Sequence, residues 1–265
     1  MSRLAGRFGE LKARGEKALV CFVTAGDPSA ELTVETVKTL ARAGADAVEI
    51  GLPFSDPLAD GPSIQAASQR SLEKGMTTRK ALAIVSEIRN AVPDLPLVLM
   101  TYFNPIRCYG LLEYAKAAAA AGADAHIVTD LTPEEAADWK TYSTANGLDT
   151  IFLVAPTSTE ERIAIVAGIS SGFVYCVSRT GVTGAKQDVP TELRGVVERI
   201  KAQTSEPVCV GFGVSLPEHV RTICAFADGV VVGSSLVDLL HRERENPALQ
   251  QIVFDYVSGL KAATR

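Results

Sequence analysis

Short runs of consecutive apolar residues, rich in Val, Ile and Phe, alternate along the chain with longer helical segments. That alternation predicts strand–helix units repeated around a parallel sheet. Eight runs read as strands, at 18–24, 47–50, 97–101, 125–128, 150–154, 173–177, 207–211 and 229–232. Most are apolar throughout rather than alternating, as strands covered on both faces are. Helices are expected at 30–43, 111–121, 133–146 and 191–202, with an extra one at 2–13 ahead of the first strand. Eight such units favour closure over an open doubly wound sheet. The expected fold is therefore α/β, a (β/α)8 TIM barrel whose N-terminal helix covers the bottom. At 265 residues the chain matches the roughly 250 of one such barrel, so residues 1–265 are expected to form a single domain.

The two kinds of junction differ. Helix-to-strand turns are terse, as in Ala43-Gly44-Ala45-Asp46, Ala121-Gly122-Ala123-Asp124 and Ala227-Asp228-Gly229. The glycines of the first two suit the left-handed residue that ends a helix. Thr132, Pro133 and Glu135 read as an N-cap, a first helical proline and a capping-box acid. Strand-to-helix loops are long and rich in Gly, Pro, Ser, Thr and Asp, notably 51–62, 101–110 and 178–190. In a barrel of this type the site lies on that elaborate face.

Composition narrows the partners. Asp and Glu total 31 against 26 Lys and Arg, so no general positive field is available to hold a nucleic acid. No stretch reaches the ~18 to 20 apolar residues of a membrane span, and residues 1–10 lack a secretory pattern. A cytoplasmic protein acting on a small molecule is expected. The five cysteines, Cys21, Cys108, Cys176, Cys209 and Cys224, show no CxxC spacing and read as reduced core thiols.

Glu49 interrupts the apolar second strand. Burying a lone carboxylate costs several kcal/mol or raises its pKa, so its presence implies either a structural ion-pair partner or a functional proton. Asp60, in the loop that follows, is near enough along the chain to fold back toward Glu49, although alone it reads as a turn residue. Glycine-rich segments end three consecutive strands: 180–185, 211–215 and 233–235. The last two fall where barrels bind phosphate on converging backbone N–H groups. Segment 178–190 reads as a lid, mobile when empty and ordered by ligand.

The segments Thr24-Ala25-Gly26-Asp27-Pro28, Val48-Glu49-Ile50-Gly51, Tyr102-Phe103-Asn104-Pro105, Thr180-Gly181-Val182-Thr183-Gly184, Gly211-Phe212-Gly213-Val214 and the whole of 53–62 resemble tryptophan synthase alpha subunits, in order from about Arg3 to Val237. The resemblance implies retro-aldol cleavage of indole-3-glycerol phosphate to indole and glyceraldehyde 3-phosphate, a carbon–carbon lyase step of tryptophan biosynthesis. It implies catalysis by Glu49 and Asp60 with support from Tyr175. Phe22, Met100, Ile127, Leu153 and Phe212 would line the indole pocket, and Thr183, Gly184, Gly213, Gly233 and Ser234 would take the rest of the substrate and its phosphate. It also implies a pyridoxal-phosphate-dependent beta subunit as partner, in an alpha2beta2 tetramer, with no cofactor in this chain. Cys21, Thr129 and Thr132 stand where the family often has proline, and Thr101 where it often has a smaller residue.

Glu49, on a strand among apolar neighbours, is expected to hold a transferable proton. Asp60, on a wetter loop, is expected to stay ionised. A Schiff-base aldolase would need a lysine at a strand end, but none of the eight runs contains one. A metal site is not expected either, because His126, His219 and His241 are scattered. Strand parity places Thr129 with Ile127 and turns His126 toward the helices as a packed residue. A sugar-phosphate isomerase and a regulatory phosphate-binding barrel subunit are the alternatives.

Overall fold

The computed structural model describes residues 2–177, 192–211 and 213–265. In chain order the first half contains α1 (Arg3–Arg14), β1 (Ala18–Thr24), α2 (Ala30–Ala43), β2 (Ala47–Gly51), α3 (Pro62–Glu73), α4 (Thr78–Ala91), β3 (Leu97–Thr101), α5 (Phe103–Tyr109), α6 (Leu111–Ala120) and β4 (Ala125–Val128). The second half contains α7 (Ala137–Ala145), β5 (Asp149–Ile151), β6 (Leu153–Val154), α8 (Glu160–Ile169), β7 (Val174–Val177), α9 (Leu193–Lys201), β8 (Val208–Gly211), α10 (Pro217–Cys224), β9 (Gly229–Val232), α11 (Ser234–Arg242) and α12 (Leu249–Ala262). Among the described residues, no helix is long and apolar enough to cross a membrane.

The described strands form one parallel sheet in the order β5-β4-β3-β2-β1-β9-β8-β7-β6. Its two ends, β5 and β6, are halves of the expected fifth strand, separated only by Phe152. The first half pairs back with β4 and the second pairs forward with β7. The chain itself thus joins the sheet's ends into a barrel. The interruption at Phe152 departs from the continuous run expected at 150–154. Its carbonyl already accepts the Tyr175 N–H at 3.1 Å, so the ladder changes partner at that residue.

Two layers of apolar side chains follow from strand parity. Leu19, Cys21, Val23, Val48, Ile50, Leu97 and Leu99 pack outward against the helices. Ala18, Val20, Ala47, Val98, Ala125, Ile127 and Tyr175 fill the interior, where Leu4, Phe8 and Leu11 of α1 plug the bottom. This is the position expected of the N-terminal helix.

The bottom turns share one device. Gly44 and Gly122 adopt φ of 98° and 94°, ending their helices as expected. The aspartate at each turn then accepts a strand N–H and pairs with a cation. Asp46 takes Leu19 N–H at 2.8 Å and Lys261 at 2.7 Å. Asp124 takes Leu97 N–H at 2.8 Å and Arg89 at 2.7 Å, and Asp228 takes Val208 N–H at 3.0 Å and Lys201 at 2.9 Å.

Two local expectations change, and a third is only partly described. The helix expected at 133–146 is a 3-10 turn, Pro133–Glu135, followed by α7. Thr132 makes no side-chain cap bond, because Glu135 N–H and Ala136 N–H close tight bonds onto Thr132 and Pro133 carbonyls and Glu134 is drawn to Arg162. The helix expected at 191–202 is described from Leu193; Thr191 lies outside the described residues. Finally, all five cysteines are free, but Cys108 is exposed rather than in the core, since its helix presents only Ile106 inward.

His126 faces the helices, as its parity predicts. It is buried and packs edge-on against Tyr114 and Trp139, with ring centroids 5.4 and 5.2 Å away. Neither ring nitrogen has a partner, and burial lowers its pKa from 6.5 to about 3. The unfolded chain therefore binds this proton first, so the neutral histidine's contribution is intact above pH 6.5 and is lost as the pH falls toward 3. The slope from one such group is about 1.4 kcal/mol per pH unit. Urea denaturation should find His126→Leu about 2 kcal/mol more stable, relative to the parent, at pH 5 than at pH 7. Parallel pH dependences would reject this.

Candidate active site

Glu49 lies in the middle of β2, in register with Phe22 of β1 and Val98 of β3. Inward parity sends its carboxyl into the barrel, where it is 1% exposed and Oε2 has no hydrogen-bond partner. Burial, with the nearby Asp60 charge second, raises its pKa from 4.5 to about 8. Among the described residues, no ion-pair partner accounts for it.

Asp60 comes from the loop after β2. Its N–H donates to Pro57 carbonyl at 3.1 Å, its carbonyl accepts Gln65 Nε2 at 2.8 Å, and the next residue, Gly61, caps α3 ahead of Pro62. Tyr102 ties the loop down. Its hydroxyl accepts Ala59 N–H at 2.9 Å and its ring lies 5.2 Å from that of Phe54. Asp60 is consequently 6% exposed, not on the wetter loop the sequence suggests. Burial raises its pKa to about 6, with the Tyr102 hydroxyl opposing. The two carboxyls still differ in the expected order, Glu49 above Asp60.

Both carboxyls line one cavity at the carboxyl ends of the strands. Phe22, Met100, Ile127, Leu153, Tyr175, Gly213, Gly233 and Ser234 line it too. Thr183, Gly184, Phe212 and the expected lid 178–190 lie outside the described residues. Thr129 joins Ile127 in the wall, as strand parity predicts. Thr101 and Cys21 do not line it. Ala59, Gly61, Ile64 and Val231 also contribute and were not expected. Val231 shares parity with Gly229 and Gly233 and was legible on that ground; Ile64 depends on how α3 docks.

Glycines make room for the aromatic walls. A Cβ at Gly51 would lie 2.5 Å from the Phe22 ring, and one at Gly211 would lie 2.0 Å from the Tyr175 hydroxyl. Also lining the cavity, Gly213 adopts φ of 83° and Gly233 caps α11. First-turn N–H groups of a helix lack intrahelical acceptors and attract anions. No lysine, arginine or histidine is among the described residues lining the cavity, so of these residues the backbone N–H groups and the Ser234 hydroxyl are what an anion would meet.

Such a barrel, with an apolar cavity and two buried carboxyls that meet no cation among the described residues at its carboxyl-terminal face, is that of an enzyme of the (β/α)8 class. The family model described as tryptophan synthase alpha chain matches residues 8–265. A tryptophan synthase alpha chain from Geobacter sp. (strain M21) is 50% identical over 261 residues, covering 98% of this chain and 97% of the relative. Tryptophan synthase subunit alpha from Legionella pneumophila str. Paris superposes with a TM-score of 0.92 at 36% identity, over 100% of this chain and 98% of the other. A chain of Mycobacterium tuberculosis tryptophan synthase gives 0.91 at 38% identity, over 100% and 98%. The chain belongs to the tryptophan synthase alpha chain family of carbon–carbon lyases.

Proposed function

We propose that the cavity binds indole-3-glycerol phosphate and cleaves it to indole and glyceraldehyde 3-phosphate, with Glu49 and Asp60 as the acid/base pair. The observation that carries this reading is that two buried carboxyls, with no cation beside them among the described residues, share one apolar cavity. Their pKa values bracket neutrality, at about 8 and about 6. At pH 7 the site holds Glu49 protonated and Asp60 ionised.

Indole is a poor carbon leaving group until C3 is protonated. Glu49 donates that proton, and Asp60 accepts the indole N–H hydrogen bond as positive charge develops on the ring. The Glu49 carboxylate then takes the glyceryl hydroxyl proton as the carbon–carbon bond breaks. Its electron pair returns to the ring, and the former alcohol leaves as an aldehyde. Glu49 ends protonated, ready for another turnover. Phe22, Met100, Ile127 and Leu153, with Phe212, hold the indole; Tyr175 supports Glu49 from β7. Gly213, Gly233 and Ser234, with Thr183 and Gly184, take the phosphate, whose binding energy orients the reacting carbon.

On this reading the 265 residues act as one domain in the cytoplasm, without a cofactor of their own. Indole passes to a beta subunit carrying pyridoxal phosphate, in an alpha2beta2 assembly. The test is to incubate the purified chain with indole-3-glycerol phosphate and measure indole. Steady release supports the lyase reading; a sugar-phosphate isomerase or a regulatory barrel would release none.

A further inference from the structure

Gly213 is exposed, and a Cβ built on it would meet nothing within 4 Å. Packing anchors this arm of the cradle only through the next residue, Val214, which is buried in the outer core. Hydrogen bonds to the carbonyls of Val214 and Ser215 fix the rest. Tyr256 of α12, a helix with no residue in the cavity wall, reaches across to both arms. Its hydroxyl lies 3.0 Å from the Ser215 carbonyl and 2.9 Å from Ser235 Oγ. Ser235 Oγ in turn lies 3.1 Å from the Val214 carbonyl.

The two hydroxyls carry one proton each. Ser215 carbonyl can only accept, so Tyr256 donates there, and the Ser235 proton is shared between the phenol oxygen and Val214 carbonyl. Ser215 N–H also points to His219 Nδ1 at 3.4 Å. Residues 214 and 215 directly follow Gly213, and Ser235 directly follows Ser234. One phenol thus links the loop after β8 to the first turn of α11.

We propose that Tyr256 is a positioning residue for the anion cradle, fixing the spacing of its Gly213 and Gly233–Ser234 arms. This rests on the reading that those arms take the substrate's phosphate. Tyr256 touches neither the cavity nor the carboxyls, so its effect falls on binding rather than on proton transfer.

The experiment compares Tyr256→Phe with the parent in steady-state cleavage of indole-3-glycerol phosphate and in competitive inhibition by inorganic phosphate. The ring is retained and Val253, Val257 and Leu260 still anchor α12, so the variant should fold. Loss of one net hydrogen bond predicts that KM and the phosphate Ki both rise about fivefold to tenfold, with kcat within about twofold. Ser235→Ala should act in the same direction, and the double variant should be little worse than the poorer single one. A fall in kcat at constant KM, or a lower Tm with unchanged KM and Ki, would overturn the role. Gly233→Leu serves as the reference. If it raises the phosphate Ki and Tyr256→Phe does not, this proposal alone fails; if it leaves the Ki unchanged, the phosphate reading fails and this proposal with it.

Discussion

Glu49→Gln is expected to lower turnover of indole-3-glycerol phosphate about a thousandfold while leaving KM within about twofold. The amide keeps the shape of the carboxyl and its capacity to donate a hydrogen bond, but it cannot transfer a proton to C3. General acid catalysis of this kind contributes about 10² to 10⁴. Stability should move the other way. The folded carboxyl's pKa is raised from 4.5 to about 8, so the contribution of the protonated form is fully present below 4.5 and is lost as the pH rises through 8. Glutamine has no such loss. The variant's Tm should therefore gain on the parent's between pH 5 and pH 8.5 even as kcat collapses. Parental turnover would end the assignment of Glu49 as the acid.

Asp60→Asn should cost about a hundredfold in turnover, because it removes the charge that faces the indole N–H. Its pH profile is the sharper readout. In the parent, kcat/KM should fall below about pH 6 as Asp60 takes up a proton, and above about pH 8 as Glu49 gives one up. The variant lacks the first group, so the acid limb should flatten. Asp60 is also the second cause of the raised Glu49 pKa, so its loss should move the alkaline limb to lower pH. An alkaline limb that stays in place would show that the two carboxyls do not interact. If they act as a unit, the double variant should be little slower than the slower single one.

Much of this site was legible because strand parity is rigid. An acid in an apolar run must enter the interior or face the helices, and the same parity paired Thr129 with Ile127 and turned His126 outward. Elements whose position depends on docking were not legible. Nothing local in the loop at 53–62 states that Tyr102, forty residues on, will take Ala59 N–H and draw Asp60 under cover. Nor does α3's sequence reveal that Ile64 meets the cavity. The fifth strand read as one run because a change of pairing partner at Phe152 leaves no mark on hydrophobicity. At Thr132, the capping-box pattern was outweighed by a tight turn at Pro133, which the sequence reads equally well as a helix start, and by Arg162 in another helix, which is not a local signal.

The ion pairs elsewhere in the barrel give the two cavity carboxyls a further meaning. Buried acids elsewhere in the described chain are matched to cations: Asp27 to Arg70, Asp46 to Lys261, Asp124 to Arg89. Glu49 and Asp60 are buried to a similar degree, yet neither is among the described ion pairs. The frustration is thus confined to the cavity, since even at the same end of the strands Asp27 is matched to Arg70. A cation placed beside Glu49 would relieve that conflict and hold the carboxyl in the ionised form, unable to donate. The stability forgone at this spot is what gives Glu49 its proton affinity.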